Sequence, residues 1–372
     1  MRKISLAVLA ASSLVATTRL IAQGATTTEI RHPDGKYVDQ SITARVVRFA
    51  DAATGATTRA LRPTPVTMGA EDGSDDVVMS RMNAVAINRS GQVLVLDELS
   101  SVVRVFDPNG SFVQRIGRAG KGPGDFFHAR VMTLSPDDDV VVYDLMGRLQ
   151  VFRQRNGRHE LSRTIPIDFE ITAMCFLGNR LFANAMSTGA RSIVHAIDYQ
   201  TGQVTSSFGS VYNSPSFITN VNVSSGKLVC DQQNQQVVLA TSSMLGEIRA
   251  WKLDGTPAWR VSIADYKSNK VVSVGESRKV ELSPDGITSL HSLSIVPDVG
   301  IVANYGMRTR QQIIDKEAYG TPSTLVINPL NGTASWLRTP WPIIAAMKGS
   351  QVATVTEEPY PMVRMYSLST RR

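Results

Sequence analysis

Residues 82–126 read MNAVAINRSGQVLVLDELSSVVRVFDPNGSFVQRIGRAGKGPGDF, and this stretch decides the fold. Apolar alternation over 84–87 predicts a first short strand, Ser90 and Gly91 turn it, and the fully apolar run 93–96 predicts a second strand ending at Asp97. A third strand is expected over 102–106. Pro108, Asn109 and Gly110 then supply a tight turn, because Pro presets φ and Asn-Gly tolerates φ > 0, and 112–116 returns as a fourth strand.

The same grammar recurs along the chain. After VRVFDPNG come LQVFRQRNG, VHAIDYQTG, IRAWKLDG and LVINPLNG, with VRMYSLS near the end. The large apolar residues of these third strands are Phe106, Phe152, Ile197, Trp251, Ile327 and Tyr366. Most are spaced at roughly 45 residues, and the gap stretches to about 76 before Ile327. A second register, the residue closing strand two, reads Asp97, Asp144, Asn184, Asp231 and Asn304, with Thr356 in the sixth copy. Six four-stranded antiparallel units at this period predict an all-β, six-bladed β-propeller.

Residues 81–166 resemble the NHL repeat: a Gly turn, an apolar strand ending in Asp, V-x-V-F-D-P-N-G, then I-G-x-x-G-x-G-P-G-x-F with Gly117, Gly120, Gly122, Gly124 and Phe126. Two copies match well and four match in spacing and turn residues, so the resemblance extends over residues 43–372 and implies a six-bladed propeller. Its members include binding scaffolds and some enzymes, so function has to be argued from the site.

Ahead of the repeats, Met1, Arg2 and Lys3 precede ISLAVLAASSLVA, a charged head and apolar stretch of secretory length. Residues 1–24 are therefore read as a signal peptide, with Ala22, Gln23 and Gly24 as a small-x-small cleavage site. No cysteine lies near it for a lipid anchor, so the expectation is a periplasmic or secreted protein. No later stretch approaches the ~20 apolar residues of a membrane span. Cleavage would lower the formal charge from +7 to about +4. The basic residues are spread through all six units, which argues against a nucleic-acid footprint.

Residues 25–41 are polar and Thr-rich and are expected to be a flexible leader, with a single domain over 42–372. The last unit has chain for only three strands, so an N-terminal strand must complete the sixth blade, and 56–66 is the better candidate. The insert 264–288 is expected to hold a short helix or a crossing strand. In this register Cys175 falls in strand one of the third unit and Cys230 in strand two of the fourth. Strands of different rank in adjacent blades rarely approach within bonding range, so two buried thiols are favoured over a disulfide. No C-x-x-C spacing marks a zinc site.

In an up-and-down blade the long segments 117–125, 232–246, 264–288, 305–322 and 340–342 all fall on one face of the disc. That face is expected to bind a protein, peptide or small molecule. Asn83, Arg130, Thr172, Asn220 and His291 should stand at the first positions of the inner strands around the channel, with His128 just outside. Arg308, Arg310, Tyr319, Trp341 and Tyr360 should add an Arg and aromatic cluster.

Lyases with NHL-type propellers hold a metal through histidines at such positions. Only His291 matches, and a catalytic zinc usually takes more than one His. A divalent cation, Ca or Zn, is thus the alternative and no cofactor is the first expectation. Lactonase-like propellers use Glu, Asn and Asp, roles open to Glu170, Asn220 and Asp231. The Asp and Asn series could be a calcium ring, but Asp and Asn at strand ends also shape turns. The reading is a binding module, with a metal-dependent lyase or lactonase-like enzyme as the alternative. Its first test is the processed end: N-terminal sequencing of the exported protein should begin between about Ala22 and Thr26, whereas an intact Met1 would contradict a cleaved leader.

Overall fold

The middle strands carry apolar side chains on both sides, a pattern stable only between two covering layers. In the first blade all five residues of Val93–Asp97 and of Val102–Phe106 are buried. The computed structural model describes residues 27–30, 36–37 and 42–370, apart from 186–190, 214–216, 243, 275–276, 316 and 318. The segment read as a signal peptide lies outside the described residues.

Six antiparallel sheets form the blades. From the channel outward, blade one is Met82–Ile87, Val93–Asp97, Val102–Phe106 and Phe112–Ile116. The inner strands of the next five are Ala129–Leu134, Ile171–Leu177, Gly226–Asp231, Ile287–Val296 and Ile344–Lys348. Each inner strand contacts the next in chain order, and the sixth returns to the first. The anchors Phe106, Phe152, Ile197, Trp251, Ile327 and Tyr366 all lie in third strands, each opposite the start of a second strand.

The ring closes as expected from the short last unit: Arg59–Met68 pairs antiparallel with Met362–Thr370 and completes blade six. Closure begins earlier in the chain than that strand. Arg45–Val47 adds in parallel to the outer strand of blade four, Pro257–Ile263. The Asp265 carboxylate then accepts hydrogen bonds from Phe49 N and Ala50 N at 2.7 and 3.1 Å. Phe49 stacks on Trp336 with centroids 4.6 Å apart, and Gly55 N donates to Trp336 O. A Cβ at Gly55 would stand 2.7 Å from that oxygen, so only glycine permits this approach. Residues 45–68 thus run as a belt over the outer edges of blades four, five and six. Within the expected leader, Thr27–Ile30 pairs with Lys270–Val274 and Lys36–Tyr37 with Tyr212–Asn213.

Blade four departs from the expected register. Phe217–Ser224, FITNVNVS, is an α-helix where an inner strand was expected, and the inner strand starts only at Gly226. Cys230 and Asp231 therefore end strand one instead of strand two, and the second strand is Gln236–Thr241. The expected loop 232–246 is divided by this strand, and residues 232–235 turn on the opposite face. The insert holds the hairpin Lys270–Val274 with Ser277–Glu281.

This shift overturns the expectation of free thiols. Cys175 and Cys230 lie on neighbouring inner strands of equal rank, 5.7 Å apart at Cα, and are bonded. The bond closes a sequence separation of 55 residues, for which the chain-entropy model gives about 4 kcal/mol of stabilisation. Replacing both cysteines by serine should lower the unfolding free energy by up to about that amount. Denaturant titration of the double variant beside the oxidised protein measures it, and equal midpoints would show that the bond contributes nothing.

Candidate functional site

A channel of about 830 Å³ runs between the inner strands. Its wall polarity is set by backbone geometry. In five blades the first inner-to-second strand pairing carries a register shift that leaves one inner-strand residue unpaired: Asn83, Arg130, Thr172, His291 and Ala345. A bulge of this kind re-aims its side chain. The expected first-position residues of blades one, two, three and five are these bulge residues. Blade four has no bulge and begins Gly226, Lys227. Asn220 sits on the helix before it, outside this series.

Around blades one to three the mouth is an ionic network. Glu98, 6% exposed, accepts from Asn83 Nδ2 at 2.7 Å and pairs with Arg81 at 2.9 Å and Arg130 at 3.7 Å. Arg130 also reaches Glu170 at 3.4 Å. Beneath them the Tyr143 hydroxyl donates to Phe169 O, and its pKa is pushed up to about 12 by burial and then by the Glu170 charge. Thr172 is turned away, donating to Asn184 Oδ1 at 2.6 Å.

At blade five the His291 ring meets Tyr319 edge-on at 4.3 Å. Arg308 lies 3.9 Å over the Tyr319 ring and donates to its hydroxyl, which also meets Ser289 Oγ at 2.9 Å. Burial, followed by the Lys227 and Arg308 charges, lowers the His291 pKa to about 4. A Cβ at Gly306 would stand 2.1 Å from His291 Nε2, so that nitrogen faces strand backbone and its charged neighbours are cations. This surrounding does not suit the divalent cation considered for His291, since like charges repel. Among the described residues, no three His, Cys, Asp or Glu side chains come together to hold a metal.

The lactonase-like trio does not converge. Glu170 pairs with Arg130 at the mouth, Asn220 is on the helix, and Asp231 caps the turn at the other end of its strand, accepting from Gln233 N and Asn234 N. The supposed calcium series is likewise bound up in hydrogen bonds. Asp97 is buried and takes Arg104 at 2.7 Å, Ser80 N at 2.9 Å and Arg81 N at 3.1 Å. Burial would raise its pKa, but the hydrogen bond from the Ser80 hydroxyl, followed by those from Ser80 N, Arg81 N and Arg104, holds it below the ordinary carboxylate value. Asn184 joins blade three to blade four through Ser224 O and Gly226 N, and Asn304 joins blade five to blade six through Trp341 O and Ile344 N.

Beyond the pair Arg308 and Tyr319, the expected Arg and aromatic cluster is dispersed. Arg310 is exposed at the start of the short helix Arg310–Ile314, and Tyr360 is part-buried in the loop before Met362–Thr370. Trp341 is 7% exposed and packs with Val296, Leu337, Ile344 and Val352, so it is core and not a contact surface. Phe127 packs edge-on against His128. Two mouth residues escaped the sequence reading. Glu98 stands beside Asp97 at the end of a second strand, and Lys227 was hidden because the helix displaced blade four's register.

A family model described as a 6-bladed beta-propeller matches residues 72–180. The chain is a six-bladed β-propeller. Similar solved structures include a protein described as exported, from Bacteroides fragilis, at TM-score 0.57 and 10% identity, covering 88% of this chain and 100% of that one. A member of the DUF4221 family from Bacteroides vulgatus has TM-score 0.49 and 10% identity, covering 84% of this chain and 99% of that one. The hydrazine synthase of Kuenenia stuttgartiensis has TM-score 0.45 and 11% identity, covering 77% and 76%. At such identities the likeness concerns the fold. No curated protein matches the chain in sequence, and no described helix is long and apolar enough to cross a membrane.

The burial of Trp341 makes a prediction that separates core from contact. Trp341→Ala should destabilise the protein by roughly 3–5 kcal/mol in denaturant titration. A variant of wild-type stability would return Trp341 to the surface.

Proposed function

We propose that this protein is an exported binding module that takes a small polar ligand at the loop-rich mouth of its channel. The observation that carries the reading is the set of inner-strand bulges. They direct Asn83 and Arg130 to the same end of the channel, where Glu98 and Glu170 meet them. A channel of about 830 Å³ lies within the ~300–1,000 Å³ range of ligand sites. The longer connections, including the helices Phe217–Ser224 and Arg310–Ile314, lie on this face. The opposite face carries short turns such as the one at Gly110.

Export is supported by the charged and apolar N-terminal sequence and by the disulfide, which persists in oxidising compartments. The fold is also that of a Bacteroides fragilis protein described as exported. The NHL-like turn and glycine pattern of the first two units supports the same kind of scaffold, one on which family members bind ligands.

A thermal-shift screen of small polar molecules against the mature protein tests the site. Ligands that raise the melting temperature should lose their effect in Arg130→Ala and keep it in Asn109→Ala or Asp254→Ala on the opposite face. Loss in the opposite-face variants, with Arg130→Ala responding like wild type, would place binding elsewhere.

A further inference from the structure

The charges around the channel mouth are unevenly matched. Glu98 and Glu170 are both engaged by arginines, and Arg130 lies between them. Lys227, on the other side of the mouth, has no such partner. It lines the channel, part-buried, and among the described residues no carboxylate or hydrogen-bond acceptor holds its ammonium. Val229, on the same side of the strand, packs toward blade five, so Lys227 leans toward His291 and Arg308. Arg308 adds positive potential, and neither neighbour supplies a counter-charge, since His291, its pKa lowered to about 4 by burial and by the Lys227 and Arg308 charges, is neutral near pH 7. Arg308 spends its terminal nitrogens on Tyr319 and on Glu317 O, while its Nε and His291 Nε2 have no partner among the described residues. Desolvation lowers the Lys227 pKa, the mark of a cation removed from water without an anion to replace it.

A lone part-buried ammonium beside a ligand-sized cavity is costly unless something brought into the cavity pairs with it. We propose that the blade-four side of the mouth binds a small organic anion whose carboxylate or phosphate group pairs with Lys227. The inference rests on the channel-mouth reading above and names its ligand class. Lys227 would act as a point charge on the anionic group, and the remaining channel length would take the organic body. The wall there is apolar at Val229, Leu293 and Ile295 and polar at Ser294.

Calorimetric and thermal-shift titrations test this with acetate, citrate, inorganic phosphate and glycerol 3-phosphate. Ionic strength is held constant with sodium chloride. At least one of these anions should bind and raise the melting temperature, and whether carboxylates or phosphates bind tighter assigns the headgroup. Lys227→Met should weaken that binding about tenfold or more, and Lys227→Arg should retain part of it. Without anion, Lys227→Met should melt at or above wild type, because it removes a charge that no described group offsets. Lys227→Gln serves the same comparison if the methionine variant fails to fold. Binding unchanged in Lys227→Met and Lys227→Gln, or no response to any of the four anions, overturns the proposal. Anion binding lost in Arg130→Gln but intact in Lys227→Met would overturn the Lys227 assignment while leaving the channel mouth as the binding site. Binding intact in both variants would remove the mouth as well.

Discussion

Closure of the ring is the constraint on which the rest depends. Each blade buries both sides of its middle strands against its neighbours, so an open ring would expose two apolar sheet faces and an unpaired edge. The ladder between Arg59–Met68 and Met362–Thr370 joins the two ends of the chain. The belt from Arg45 onward reinforces it, because the same segment first seals blade four and touches blade five through Phe49 and Gly55. Ends distant in sequence are thereby fastened in one sheet, and the channel acquires a fixed perimeter.

A fixed perimeter lets small backbone irregularities matter. The five inner-strand bulges cost ladder regularity at the channel mouth, yet they turn one residue per blade out of the normal alternation. Where that residue is Arg130 or Asn83, it enters the Glu98 network; where it is Thr172, it is absorbed by Asn184. Buried polar residues behind the mouth hold the blades in place. Asp97 with Arg104 fixes the approach to blade one, and Asn184 and Asn304 bridge to the following blades. A side-chain amide suits the bridging positions because it donates and accepts at once. These residues recur for a structural reason, which accounts for a series that resembled a metal ring.

Blade four shows how one local decision propagates. The helix Phe217–Ser224 takes the segment expected to begin the inner strand, so Gly226–Asp231, expected as the second strand, becomes the first and Gln236–Thr241 becomes the second, while Trp251 keeps its place in the third. The move aligns Cys230 with Cys175 and sends Asp231 to the far end of the channel. It also sets Lys227 at the mouth without a bulge.

Strand periodicity, the Asn-Gly turn and the recurrence of Phe106, Phe152, Ile197, Trp251, Ile327 and Tyr366 were enough to read the propeller, its blade count and its need for an N-terminal strand. These are local signals repeated at a fixed period, and burial on both sides of each middle strand enforces them. The inner-strand positions Asn83, Arg130, Thr172 and His291 were legible for the same reason. The disulfide, the burial of Trp341, the Glu98 network and the place of Lys227 were not. Each depends on which segments become neighbours across blades, and alternation over a few residues cannot separate a strand from a short helix such as FITNVNVS when only packing against the rest of the ring selects between them.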